Sequence, residues 1–255
     1  MIPTNPLRLG VISALAEEQH GLVAAMQGTT RLTNGMREYT MGNLWGIDAV
    51  CVLSRMGKVA AAMTAALLVE KFDVTHIVFT GVAGSADASV MVGDIVVAES
   101  LVQHDMDVRP LFARFEVPLT SQTYFLPDRA LSDRVAQAAQ DFLQLKVGTE
   151  IGGASAEPRV RRGLIASGDQ FINSRTHLHD LKTALPDLLA VEMEGAAVAQ
   201  VCFELGIPFA VIRTISDNAN EEAAIDFMHF VKNVAARYAF GTVQRLCADM
   251  AKDRS

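Results

Sequence analysis

The chain has 255 residues, half of them hydrophobic, with a formal net charge of −7 at pH 7. That length suits one globular domain over residues 1–255, and no run reaches the ~18 to 20 apolar residues of a membrane span. With no charged-then-apolar-then-small pattern of a secretion signal, a cytoplasmic protein without a membrane partner is expected, and the scattered basic residues argue against nucleic acid.

Short apolar, β-branched runs alternate with longer helical patterns from Leu7 onward. This predicts an α/β fold: a single-domain three-layer sandwich with a central mixed, mostly parallel twisted sheet flanked by helices. The first strand reads 9–15, and a helix starts near Ala16, with Glu17 and Glu18 at its positive end. A second helix spans 58–72, and its apolar surface is a candidate subunit interface. A strand over 76–80 runs into a Gly81-Val-Ala-Gly84 turn, and a strand pair around 90–98 turns at Gly93-Asp94. Residues 109–127 lack periodicity and read as an irregular excursion, followed by a helix from Asp128 to about Leu143. Strands over 163–167, 188–192 and 209–215 follow, separated by helices, with a long final helix over about 223–249.

Polar clusters follow the strands: Glu17-Glu18, Gly81-Val-Ala-Gly84, Ser167-Gly-Asp-Gln-Phe171, Glu192-Met-Glu194 and Ser216-Asp217. Ligands of open α/β sheets bind at the carboxyl ends of strands. Glu192 and Glu194, two apart at a strand end, would project to the same side and accept hydrogen bonds from a pair of ribose hydroxyls. Alternatively, Glu194 simply favours the start of the next helix. Asp217 follows a strand carrying Arg213, a cation at a buried sheet tip that needs a partner or a ligand, although Ser216 or Asp217 also reads as an N-cap. Glu18 by itself reads as a dipole-stabilising group.

Cys51, Cys202 and Cys247 are far apart in apolar surroundings and read as buried thiols. The six histidines show no triad spacing, and no Gly-x-Ser-x-Gly elbow is present. His104-Asp-Met-Asp107 has some metal-ligand character, but no functional metal is expected. The glycines around Gly81 form neither a dinucleotide fingerprint nor a P-loop, so no cofactor is expected. Met56, Phe171, Ile172, Met193 and Phe227 are suited to wall a flat heterocycle and a thioether tail, or to fill the core.

Taken together, Gly93-Asp-Ile-Val-Val97, His104-Asp-Met-Asp-Val108, Ser167-Gly-Asp-Gln-Phe-Ile172, Val191-Glu-Met-Glu-Gly195 and Val211-Ile-Arg-Thr-Ile-Ser-Asp217 resemble the nucleoside phosphorylase superfamily. The likeness is greatest to its hydrolytic branch, the 5′-methylthioadenosine/S-adenosylhomocysteine nucleosidases. The resemblance implies hydrolysis of the N-glycosidic bond of an adenine thionucleoside by a homodimer. Asp217 would protonate the adenine, main-chain groups near Ile172 would read its edge, and Phe171 would pack on its face. Glu194 and Met193 would hold the ribose, and Glu18 would activate water with Arg213 close by. Met56, Val108 and Phe227 would surround the sugar and its tail, and Ala83, Gly84, Glu192 and Ser216 complete the substrate-binding set. Residues 14–23 hold no arginine or lysine for a phosphate, so water is the expected nucleophile. Three departures from the family pattern stand out: Arg55 within Ser54-Arg-Met-Gly57, Val82, and the Arg109-Pro-Leu-Phe112 stretch. Arg55 keeps phosphorolysis open, and a futalosine-type nucleosidase or a non-catalytic nucleoside-binding protein are the other readings.

Overall fold

The computed structural model describes residues 6–145, 158–220, 222–223, 228, 230 and 234–253. Strand β1 (Leu9–Ser13) is buried along its whole length, as a strand covered on both faces must be. It pairs in parallel with β4 (Ile47–Leu53) on one side and β5 (His76–Ser85) on the other. Strands β2 (Gln27–Asn34) and β3 (Arg37–Leu44) extend the sheet beyond β4 as an antiparallel meander. The full order is β2-β3-β4-β1-β5-β8-β7-β6-β9, where β6 is Ile95–Gln103, β7 Val160–Ser167, β8 Leu188–Glu192 and β9 Phe209–Asp217.

One half of this sheet closes on itself. Along its length β5 pairs in parallel with β9, but at Gly84 and Ser85 it pairs antiparallel with β8. Strand β9 in turn pairs antiparallel with β6, so β5, β8, β7, β6 and β9 form a ring. Side chains alternate across the strands, and in β1 Leu9 and Val11 face one core while Ile12 faces the other. Helices α1 (Ala16–Ala25), α3 (Arg129–Gln144) and α6 (Ala236–Lys252) cover the first core. Helices α2 (Lys58–Phe72) and α5 (Gly195–Leu205) cover the second, and α4 (Arg175–Ala184) packs over a smaller cluster beside β7 and β8.

Several local expectations need correction. Gly81-Val-Ala-Gly84 is no turn but the second half of β5, kept extended by its pairing with β9. Residues 90–92 do not form a strand; the Asp94 carboxylate accepts from the Met91 and Arg159 amides and organises a turn there. The meander over 27–53 was not anticipated. The expected final helix begins in a stretch that lies mostly outside the described residues, as does Phe227. Asp128, expected as the first helical residue, instead caps α3 by accepting from the Leu131 amide at 2.8 Å. All three cysteines are buried and free, with burial pushing their thiols up to about 12. Among the described residues, no helix is long and apolar enough to cross a membrane, and no group of three His, Cys, Asp or Glu side chains is arranged around a metal ion.

Candidate active site

The strand ends of β1, β5, β8 and β9 and the loop after β7 enclose a largely apolar cavity of about 330 Å³. Its wall includes Met56, Ala83, Gly84, Phe171, Ile172, Glu192, Met193, Glu194, Arg213, Ser216 and Asp217. These residues come from segments up to 161 positions apart, Met56 to Asp217, which the closure of the ring brings together. Ile172 is buried, whereas Phe171 keeps 43% of its surface exposed and Met56 63%. An apolar chamber with a few buried polar groups is the usual form of a small-molecule site.

Asp217 ends β9 on one side of the chamber. Its Oδ2 accepts from the Ser216 hydroxyl at 2.7 Å and its Oδ1 from the Ala219 amide at 2.8 Å. The Asp217 side chain occupies this place because Gly84 faces it: a Cβ at position 84 would come within 2.9 Å of Asp217 Oδ1. Only glycine leaves that room. The Asp217 carboxyl group stands at the cavity wall, 2% exposed, while its Oδ1 also closes a local turn by accepting from the Ala219 amide.

Glu192 and Glu194 do not act as a matched pair. Glu192 closes β8, and its carboxylate accepts from Arg213 Nη2 at 2.7 Å and Nε at 3.2 Å, from the Ser167 hydroxyl, and from the Glu194 and Gly195 amides. Beyond it the chain leaves the extended conformation, and Glu194 sits at the N-cap of α5 with φ −140° and ψ −35°. Its Oε1 accepts from the Gly57 amide at 2.7 Å. Burial, then the neighbouring Glu192, push the Glu194 carboxyl well above its ordinary value, while the Gly57 amide and Arg213 draw it down. Glu194 is thus the acid of the two with capacity left for a ligand.

Arg213 gives four of its five N–H donors to protein partners. Besides Glu192 it donates to the carbonyls of Phe79 and Ile212, and its guanidinium lies 4.1 Å from the Phe79 ring centre. Replacing it with Met would leave Glu192 buried without its cation, which is expected to cost about 3 to 5 kcal/mol in a urea melt. A loss under about 1 kcal/mol would show that the helix amides alone satisfy Glu192.

Glu18 is 1% exposed, and its Oε2 accepts from the amides of Ala14 and Leu15, both cavity-wall residues, at 3.1 Å each. The carboxyl itself faces a small adjoining chamber bounded by Thr80, Gly81, Thr214, Tyr238 and Thr242. Gly81 belongs to both walls. Burial pushes Glu18 up to about 7, opposed by the Leu15 amide and by Arg213. Strongly shifted acids around one cavity are a mark of a functional site.

Two residues depart from their expected places. Val108 is not among the cavity-wall residues; it sits on the partly exposed segment where Arg109 and Asp107 pair. Arg55, the candidate phosphate ligand, donates to the Met36 carbonyl at 2.7 Å and is likewise absent from the wall. Its φ of +71° is a conformation that favours small residues. Gln170, Val82, Val191 and the Ala14-Leu15 pair line the cavity without having been singled out as site residues. Gln170 and Val191 lay inside motifs already quoted, but single apolar or amide residues carry no signal that separates lining from core.

The family model of the phosphorylase superfamily matches residues 8–248. A 5′-methylthioadenosine/S-adenosylhomocysteine nucleosidase of Geobacillus kaustophilus is 36% identical over 91% of this chain and 94% of its own length. The nucleosidase of Neisseria meningitidis in complex with methylthio-immucillin-A superposes with a TM-score of 0.85 at 33% identity, covering 96% of this chain and all of the other. Futalosine hydrolase of Helicobacter pylori gives 0.82 at 29% identity over 94% and 97% of the two chains. With matches of this extent to both fold and sequence, the chain belongs to the phosphorylase superfamily and, within it, to the 5′-methylthioadenosine/S-adenosylhomocysteine nucleosidases.

Proposed function

We propose that this enzyme hydrolyses the N-glycosidic bond of 5′-methylthioadenosine and S-adenosylhomocysteine, releasing adenine and the ribosyl thioether. The observation that carries this reading is the charge arrangement of the cavity. Asp217 and Glu194 stand on its wall and Glu18 directly behind it, while Arg213, the one cation among the described wall residues, is held by Glu192. Among the described wall residues there are acids for a purine and a ribose and no cation besides the Glu192-bound Arg213 to seat a phosphate.

In this mechanism Asp217 donates a proton to the five-membered ring of the adenine, because the adenine anion is a poor leaving group. The bond then opens through an oxocarbenium-like transition state. Glu194 accepts hydrogen bonds from the ribose hydroxyls, and Phe171 and Ile172 hold the base. Ionised Glu18, bordering the Ala14-Leu15 turn, takes a proton from the attacking water. General acid and base steps of this kind contribute ~10²- to 10⁴-fold each.

The test is adenine release by the purified enzyme in phosphate-free buffer and again with phosphate. Equal turnover in both is expected; turnover only with phosphate would make the enzyme a phosphorylase. The likeness to futalosine hydrolase favours futalosine as the second substrate to try, and cleavage of it alone would replace the present reading.

We further propose a cytoplasmic homodimer that serves methionine salvage. Support for the dimer comes from the apolar surface at the start of α2 beside the cavity mouth, where Val59 is 81% exposed and Met36 78%. A partner covering that face would also close the side on which Met56 stands open. Light scattering that returns a monomer at micromolar concentration would refute the dimer.

A further inference from the structure

Helix α2 begins at Gly57 with no side-chain cap of its own. The groups its first turn needs come instead from the loop that follows β7. Asp169 Oδ1 accepts from the Lys58 amide at 2.7 Å, placing a carboxylate at the positive end of the helix. The same loop is tied at a second point, where the Asp169 amide donates to Asp105 Oδ2 at 2.9 Å. Lys58 closes the triangle: its Nζ donates to Asp105 Oδ1 at 2.6 Å and to Gln103 Oε1 at 3.0 Å. The Lys58 and Asp105 side chains retain only 17% and 19% exposure, so the pair is well shielded from water.

Two corners of this triangle adjoin pieces of the cavity. Asp169 immediately precedes Gln170, Phe171 and Ile172 on the wall. Gly57, next to Lys58, gives its amide to Glu194 and follows wall residue Met56. The loop has no slack on its other side either, since a Cβ at Gly168 would come within 2.4 Å of the His104 ring.

We infer that Lys58, Asp105 and Asp169 are positioning residues that clasp the 168–172 loop to the start of α2 and so set the spacing between the purine-holding loop and Glu194. This rests on the assignment of purine and ribose to those two walls. None of the three side chains is a wall residue; they act through the segments they join. Breaking the clasp therefore weakens binding of the base more than it slows bond cleavage.

The experiment compares wild type with Lys58→Met, Asp105→Ala and Lys58→Arg, by steady-state cleavage of methylthioadenosine and by calorimetric titration of adenine. Charged hydrogen bonds of this kind predict that KM and the adenine Kd each rise about tenfold in Lys58→Met and Asp105→Ala. By the same reasoning kcat falls less than about threefold, and Lys58→Arg, which keeps a cationic donor, stays within about threefold of wild type. If both KM and Kd stay within about twofold of wild type in both disrupting variants, the clasp has no positioning role. If kcat and KM worsen together with a lowered Tm, and Lys58→Arg is no better than Lys58→Met, the triangle is merely structural and the inference fails. Because calorimetry reads adenine binding without bond cleavage, a wild type that binds adenine but cleaves nothing would sink the catalytic assignment while still deciding this one.

Discussion

Asp217→Asn is expected to lower kcat by ~10²- to 10⁴-fold while leaving the fold intact, because in the proposed mechanism Asp217 delivers the proton to the departing base. The side-chain amide keeps the shape of the carboxyl group and can still accept from the Ser216 hydroxyl or the Ala219 amide, so Tm should move little. What it cannot do is transfer a proton to a ring nitrogen. Steady-state adenine release on matched preparations checks this. Turnover within tenfold of wild type would show that the purine leaves without help from this residue, and that the acid must be sought elsewhere on the wall.

Glu18→Gln carries the second large effect, and it runs in opposite directions for activity and stability. If Glu18 is the base of the proposed mechanism, its loss should reduce kcat by ~10²- to 10⁴-fold. In the native enzyme burial holds the Glu18 carboxyl at about 7 against an ordinary value of 4.5. A folded-state value above the unfolded one means that the fold favours the protonated form. The associated stability is fully present below pH 4.5 and is lost as the pH rises through 7. At pH 8 the ionised, buried glutamate thus costs about 3 kcal/mol. Glutamine never ionises, so the variant should melt higher than wild type at pH 8, by roughly 5 to 10 °C, with the advantage shrinking toward pH 5. Wild-type kcat/KM should rise with pH up to about 7 as the base ionises. A variant that melts lower at pH 8 would show that Glu18 is not held in its protonated form by burial, and a flat acidic limb would remove it from the role of base.

Much of the scaffold was readable locally. Helix α3 carries its apolar period within its own residues, and the β8 run is apolar from Leu188 to Val191, so neither needed knowledge of a partner. Strand β2 of the meander failed to announce itself because it lies at the sheet edge with nearly every residue exposed, leaving no hydrophobic period to detect. Gly81-Val-Ala-Gly84 misled for the opposite reason. Glycine weakens an extended segment locally, but the ladder to β9 supplies the constraint from more than a hundred residues away.

The residues of the site divide along the same line. The order and spacing of a few short motifs were enough to single out Asp217 and Glu194 as candidates and to place the chain among the nucleosidases, because side-chain chemistry is written in the sequence itself, whereas Glu18 stood out only through the resemblance. Which carboxyl group is free and which is committed was decided only by the tertiary structure. Glu192 looked like the twin of Glu194 until the chain was seen to leave the strand between them and Arg213 to arrive from β9. Arg55 looked like an anion ligand until its side chain was found on the Met36 carbonyl. Pairing and desolvation are set by neighbours that converge from distant strands, and they determine whether a buried charge holds the fold together or remains available for chemistry.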